Sequence, residues 1–125
     1  MEDEKNIQIE RNKSFGDVVI ADEVLAIIAG IAATEVEGVH SMDGGWSGQF
    51  ISKLGIKDLA RGVKVQVREG EVKLDLSLNM EYGYAIPKVS DLVQDKVSAS
   101  INNMTGLTVS EVNIRISGVV NKENE

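Results

Sequence analysis

The chain has 125 residues, with one histidine, no cysteine, and 13 Lys and Arg against 20 Asp and Glu, for a net charge of −7. That length suits a single domain, and 42% apolar residues supply one core without disulfides or metal. The acidic balance argues against nucleic acid, the missing thiols exclude cysteine nucleophiles and zinc knuckles, and no run reaches the roughly 20 apolar residues needed to insert in a membrane.

Met1 to Lys13 and Asn121 to Glu125 are rich in charged and amide side chains and read as tails around one domain over 14–120. The acidic start lacks the basic and then apolar pattern of an export signal, so a cytoplasmic location is expected. Gly16 to Ile20 suggests a short strand. A helix follows over about Asp22 to Glu35, where Asp22 and Glu23 suit the positive end of the helix dipole. Wound at 3.6 residues per turn, Val24, Ile27, Ile28 and Ile31 form one face and are expected to meet the core. The other face carries Ala26, Ala29, Gly30 and Ala33, small residues where a surface helix would carry charge. Either a partner covers that stripe or the second helix packs on it through Leu92 and Ala99.

Val36 to Met42 reads as a strand kinked at Gly38, and 43–62 as a long glycine-rich loop that holds the only Trp, Trp46, with Phe50 nearby. Val63, Val65 and Val67 alternate with polar residues, and after Glu69-Gly70 the alternation resumes from Val72 to Met80. This predicts an antiparallel hairpin with one apolar and one solvated face. Pro87 fits the first turn of a second helix, which runs to about Asn103 with a stripe of Ile86, Val89, Val93, Val97, Ile101 and Met104. Gly106 stops it. Leu107 to Val120 closes the chain as a strand whose phase slips at Ser110-Glu111, the mark of a bulge. The expected fold is α+β: a two-layer sandwich with a mixed, mostly antiparallel sheet of four to five strands, two helices on one face, and the order β-α-β-β-β-α-β.

Chemistry is sparse. His40 has neither a cysteine nor a second histidine with which to build a zinc site or a nucleophile relay within one chain. Gly44 to Gly48 lacks the Lys and Ser/Thr of a phosphate loop. The carboxylates of Asp17, Asp22 and Glu23 are explained by the helix start. Lys53, Lys57, Arg61 and Lys64 form a loose basic cluster and read as scattered loop charges. No catalytic residue, metal or cofactor is expected. The candidate partner-contact residues are Ala26, Ala29, Gly30, Ala33, Trp46 and Phe50.

Several stretches together resemble the alkaline-shock protein family of Gram-positive bacteria. They are GDVVIADEV from Gly16 to Val24, IAGIAA from Ile28 to Ala33, EVEGV from Glu35 to Val39, and GVKV from Gly62 to Val65. To these add Tyr82-Gly83 with IPKV from Ile86 to Val89, and NMTGL from Asn103 to Leu107 with VNI from Val112 to Ile114. The loop from Asp43 to Arg61 departs from the commoner glycine- and lysine-rich form. The resemblance implies a small, acidic, non-enzymatic cytoplasmic protein of envelope stress and homeostasis. It also implies self-association and action at the membrane through a membrane-anchored protein partner. The alternative it leaves open is a regulator of fatty-acid or lipid-precursor metabolism that binds a lipid-synthesis enzyme or an anionic metabolite.

Overall fold

The computed structural model describes residues 17–44 and 60–121. In chain order the elements are α1 (Asp22–Thr34), β1 (Val39–Met42), β2 (Val63–Arg68), β3 (Glu71–Glu81), α2 (Ile86–Thr105) and β4 (Thr108–Val120). The four strands make one sheet with β3 at its centre. β4 runs parallel to β3 along one edge, from Glu71↔Thr108 to Glu81↔Val120. The other edge is shared by two antiparallel strands in succession: β2 from Arg68↔Glu71 to Val63↔Leu76, then β1 from Met42↔Leu78 to Val39↔Met80. β1 and β2 are therefore two halves of one strand position. Both helices cover one face, α1 against β1, β2 and α2, and α2 against α1 and β4.

The period-two pattern of β3 makes it the spine of the core. Val72, Leu74, Leu76, Leu78 and Met80 are buried, while Lys73 and Asp75 point into solvent. Burying each large side chain contributes about 1.5–3 kcal/mol relative to exposure. Glu69 and Gly70 both have positive φ, 51° and 79°, which makes the hairpin turn type I′ and matches the strand twist. The register of β4 skips Ser110, the bulge expected from the phase slip, and skips again at Ser117.

Three expectations need correction. Asp17–Ile20 joins no strand, and Val18 and Val19 are both exposed. The segment leads into α1 and lines an open concavity with Val67, Thr105 and Leu107. Next, β1 starts at Val39, since Gly38 turns the chain with φ +103°, and the register with β3 passes over His40. Finally, the buried side of α1 takes in the small residues as well as Ile28 of the expected face. Leu25, Ala26, Ile28, Ala29, Gly30, Ala32 and Ala33 are buried, whereas Val24 is 46% exposed and Ile27 and Ile31 are half-buried. The small side chains allow close approach of the sheet and α2, and that proximity places them in the core.

α2 buries Val89, Val93, Val97 and Ile101, while Leu92 and Ala99, expected to meet the small stripe, are exposed. The helix has Pro87 in its first turn and ends at Gly106, whose N–H donates to the Asn102 carbonyl at 2.8 Å. Gln94 reaches down from α2 and donates to the Val112 carbonyl at 3.0 Å, tying the helix to β4.

Candidate functional site

The face of the sheet opposite the helices is polar. Strand register sets its rows: Gln66, Lys73 and Glu111 lie abreast, then Lys64, Asp75 and Asn113, then Ser77 and Arg115, then Ser41 and Asn79. Asn113 Nδ2 donates to Asp75 Oδ1 at 3.0 Å and to Glu111 Oε2 at 2.7 Å, bridging two rows. Asp43, Lys64, Asp75, Ser77, Asn113 and Arg115 line an open concavity of about 570 Å³ on this face. Its two cations and two carboxylates offset one another, so the surface presents hydrogen-bonding groups without a field of one sign.

The concavity lies where β1 hands over to β2. Ser77 of β3 serves both: its carbonyl accepts from Asp43 N–H at 2.9 Å and its N–H donates to the Gly62 carbonyl at 2.8 Å. The ladder thus stays continuous although residues 45–59 lie between the two half-strands in sequence. Gly62 makes this possible. Its φ is +83°, and a Cβ there would stand 2.8 Å from the Asp43 carbonyl oxygen and 3.0 Å from that of Ser77. Arg61 closes the neck by donating from Nη1 to the Gly44 carbonyl at 3.2 Å, and Ser117 Oγ donates to Asp43 Oδ2 at 3.2 Å. Gly44 and Arg61, on either side of 45–59 in sequence, are therefore held together beside the polar face.

At the β1 end, Ser41 is only 6% exposed. Its Oγ accepts from Asn79 Nδ2 at 3.1 Å and lies 3.0 Å from His40 Nδ1. A buried hydroxyl held this way satisfies its own hydrogen-bonding needs and is not presented to a substrate. Among the described residues no three of His, Asp and Glu gather where they could hold a metal ion.

The candidate contact residues separate. Ala26, Ala29, Gly30 and Ala33 are buried inside the domain, so the stripe is occupied by this chain's own packing. Trp46 and Phe50, with Lys53 and Lys57, lie outside the described residues. What the sequence did not single out is the neck. Gly62 and Ser117 sit 55 positions apart and meet only through β3, and the one local signal was a glycine directly before an alternating strand.

The described residues form a two-layer α+β domain whose sheet face opposite the helices carries hydrogen-bonding groups. The chain belongs to the alkaline shock protein 23 family, described by a cell envelope-related function, which it matches over residues 10–121. It is 38% identical to the uncharacterized protein YqhY of Bacillus subtilis over 105 residues, 84% of this chain and 78% of that one. With YloU of the same organism the identity is 32% over 123 residues, covering 90% and 96% of the two chains. A stress response regulator gls24 homolog of Streptococcus pyogenes serotype M3 is 31% identical over 109 residues, 86% of this chain and 61% of that longer one. A solved MamM-CTD structure carrying one histidine-to-alanine substitution shares the fold, with a TM-score of 0.53 and 11% identity over 77% of this chain and 95% of that one. The family comprises non-enzymatic, cytoplasmic stress-response proteins of Gram-positive bacteria.

Proposed function

We propose that the chain is a self-associating adaptor of the envelope stress response that acts at the membrane through a membrane-anchored protein partner. The polar sheet face, together with residues 45–59, forms the docking surface. The neck supports this reading most directly: Ser77, Gly62 and Arg61 hold together the residues that flank 45–59, the stretch whose sequence carries Trp46 and Phe50, next to a polar concavity. Aromatic residues are enriched in protein contacts, and Trp46 and Phe50 are the aromatic residues that the sequence carries between 45 and 59. The net charge of −7 disfavours anionic lipid as the direct target, so an intervening protein fits better.

A photo-crosslinking side chain placed at Arg115 in cells tests the reading, and the captured partner is expected to be an integral membrane protein. Capture of a soluble lipid-synthesis enzyme instead would favour a regulator of lipid-precursor supply. Light scattering across a wide concentration range tests self-association, and a monomer throughout removes that part.

A further inference from the structure

Where β3 ends, four exposed apolar or aromatic residues gather: Tyr82, at 73% exposure, with Tyr84, Ile86 and Val119. The Tyr82 N–H donates to the Val120 carbonyl at 2.8 Å, which sets Tyr82 beside the end of β4, and Ile86 opens α2. Tyr84 is fixed from two sides. Its Oη donates to Glu37 Oε1 at 3.0 Å, and its ring lies over Gly38, where an added Cβ would come within 2.9 Å of Cδ1. Both tyrosines of the chain thus stand in one short turn. Glu37 and Glu81 flank them closely enough for both to act on Tyr84 by charge. Neither carboxylate forms an ion pair among the described residues, whereas the nearby Glu35 meets Lys96 at 3.8 Å.

We propose that this end of the domain docks a cationic protein segment in which Arg or Lys side chains alternate with apolar ones. Single exposed apolar residues are ordinary, but two tyrosines with two aliphatic neighbours at one end make the kind of patch that anchors interfaces. Charge selects the occupant. Tyrosine faces attract guanidinium and ammonium groups, and the negative charges of Glu37 and Glu81 beside them strengthen that preference. A second copy joined across a two-fold axis would bring Glu37 and Glu81 towards their own counterparts, and an anionic lipid surface would meet the same repulsion. The surface lies beyond the neck, so the assignment stands independently of the adaptor reading.

A displayed random-peptide library panned on the full chain tests the proposal. The enriched peptides are expected to be rich in Arg or Lys with interleaved apolar residues, to weaken as salt is raised, and to lose roughly tenfold or more in affinity for Tyr82→Ser and for Glu81→Lys. Both positions lie outside the core, and circular dichroism verifies that each variant is folded. Glu69→Lys, in the hairpin turn at the other end of β3, should bind as the parent does. No enrichment, an enriched set without cationic bias, or unchanged binding by both variants overturns the assignment. So does concentration-dependent self-association that Tyr82→Ser abolishes, since it would give the surface to a second copy.

Discussion

Gly62 carries a demand that no other residue type meets without strain. Its φ of +83° lies where side chains are rarely found, and its Cβ position is closed by the backbone oxygens of Asp43 and Ser77. Backbone cannot move aside as a side-chain tip can. Gly62→Ala is therefore expected to destabilise the domain by about 1–3 kcal/mol from the strained conformation alone, with the clash in addition. Urea unfolding followed by circular dichroism reads this as a lowered midpoint, and a midpoint equal to the parent's would show that the neck is looser than described. Tyr84 offers a second measurement at this scale. The hydrogen bond to Glu37, reinforced by slight desolvation and by the charges of Glu37 and Glu81, raises its phenol above the usual 10.0, because ionising it would set a phenolate against carboxylates. The sign follows: the folded form holds this proton more tightly than the unfolded one. The stabilisation is complete below pH 10 and is lost as pH rises through the raised value. A difference titration of phenolate absorbance between the parent and Tyr84→Phe should place the Tyr84 midpoint above 10, and Glu37→Gln should bring it down.

At the scale of elements, α1 shows why apolar content and burial are separate matters. Its sequence is apolar around most of its circumference, so the 3.6-residue period locates a helix without fixing which side faces inward. Size decided the outcome. The alanine and glycine side packs inward, where close approach to β1, β2 and α2 is required, and Val24, Ile27 and Ile31 are left at the margin. Ala29→Leu is accordingly expected to cost about 1–3 kcal/mol by overpacking, whereas Val24→Ser should stay within about 0.5 kcal/mol. The opposite ranking in chemical denaturation would return α1 to the orientation its large side chains suggest. By contrast, β2 and β3 were legible almost residue by residue, because strict alternation from Val63 to Met80 admits only one inward face. The slip at Ser110 was legible for the same reason. Asp17–Ile20 misled because Val18 and Val19 are good strand formers with no strand beside them, and pairing is a long-range property. The neck was hidden on the same ground, since Asp43, Ser77 and Ser117 become neighbours only when three strands align.

Across the whole molecule, the arrangement of β1 and β2 as two halves of one strand position explains how a domain of this size can take a long insertion between them in sequence. β3 supplies every ladder partner for both halves, and Ser77 spans the junction with one donor and one acceptor. The sheet is therefore closed by its own backbone whatever lies between Gly44 and Ala60. Replacing residues 45–59 with a two-residue Gly-Ser link tests this separation of scaffold from contact surface. The loop to be closed becomes shorter, which favours folding by no more than about 2 kcal/mol. The shortened chain is expected to unfold in one cooperative thermal transition at or above the parent's temperature, while losing capture of its membrane partner from the Arg115 crosslinking position. Loss of cooperative unfolding would mean that residues 45–59 help to build the core. Full stability with undiminished capture would move the contact onto the open sheet face alone, leaving Trp46 and Phe50 outside it.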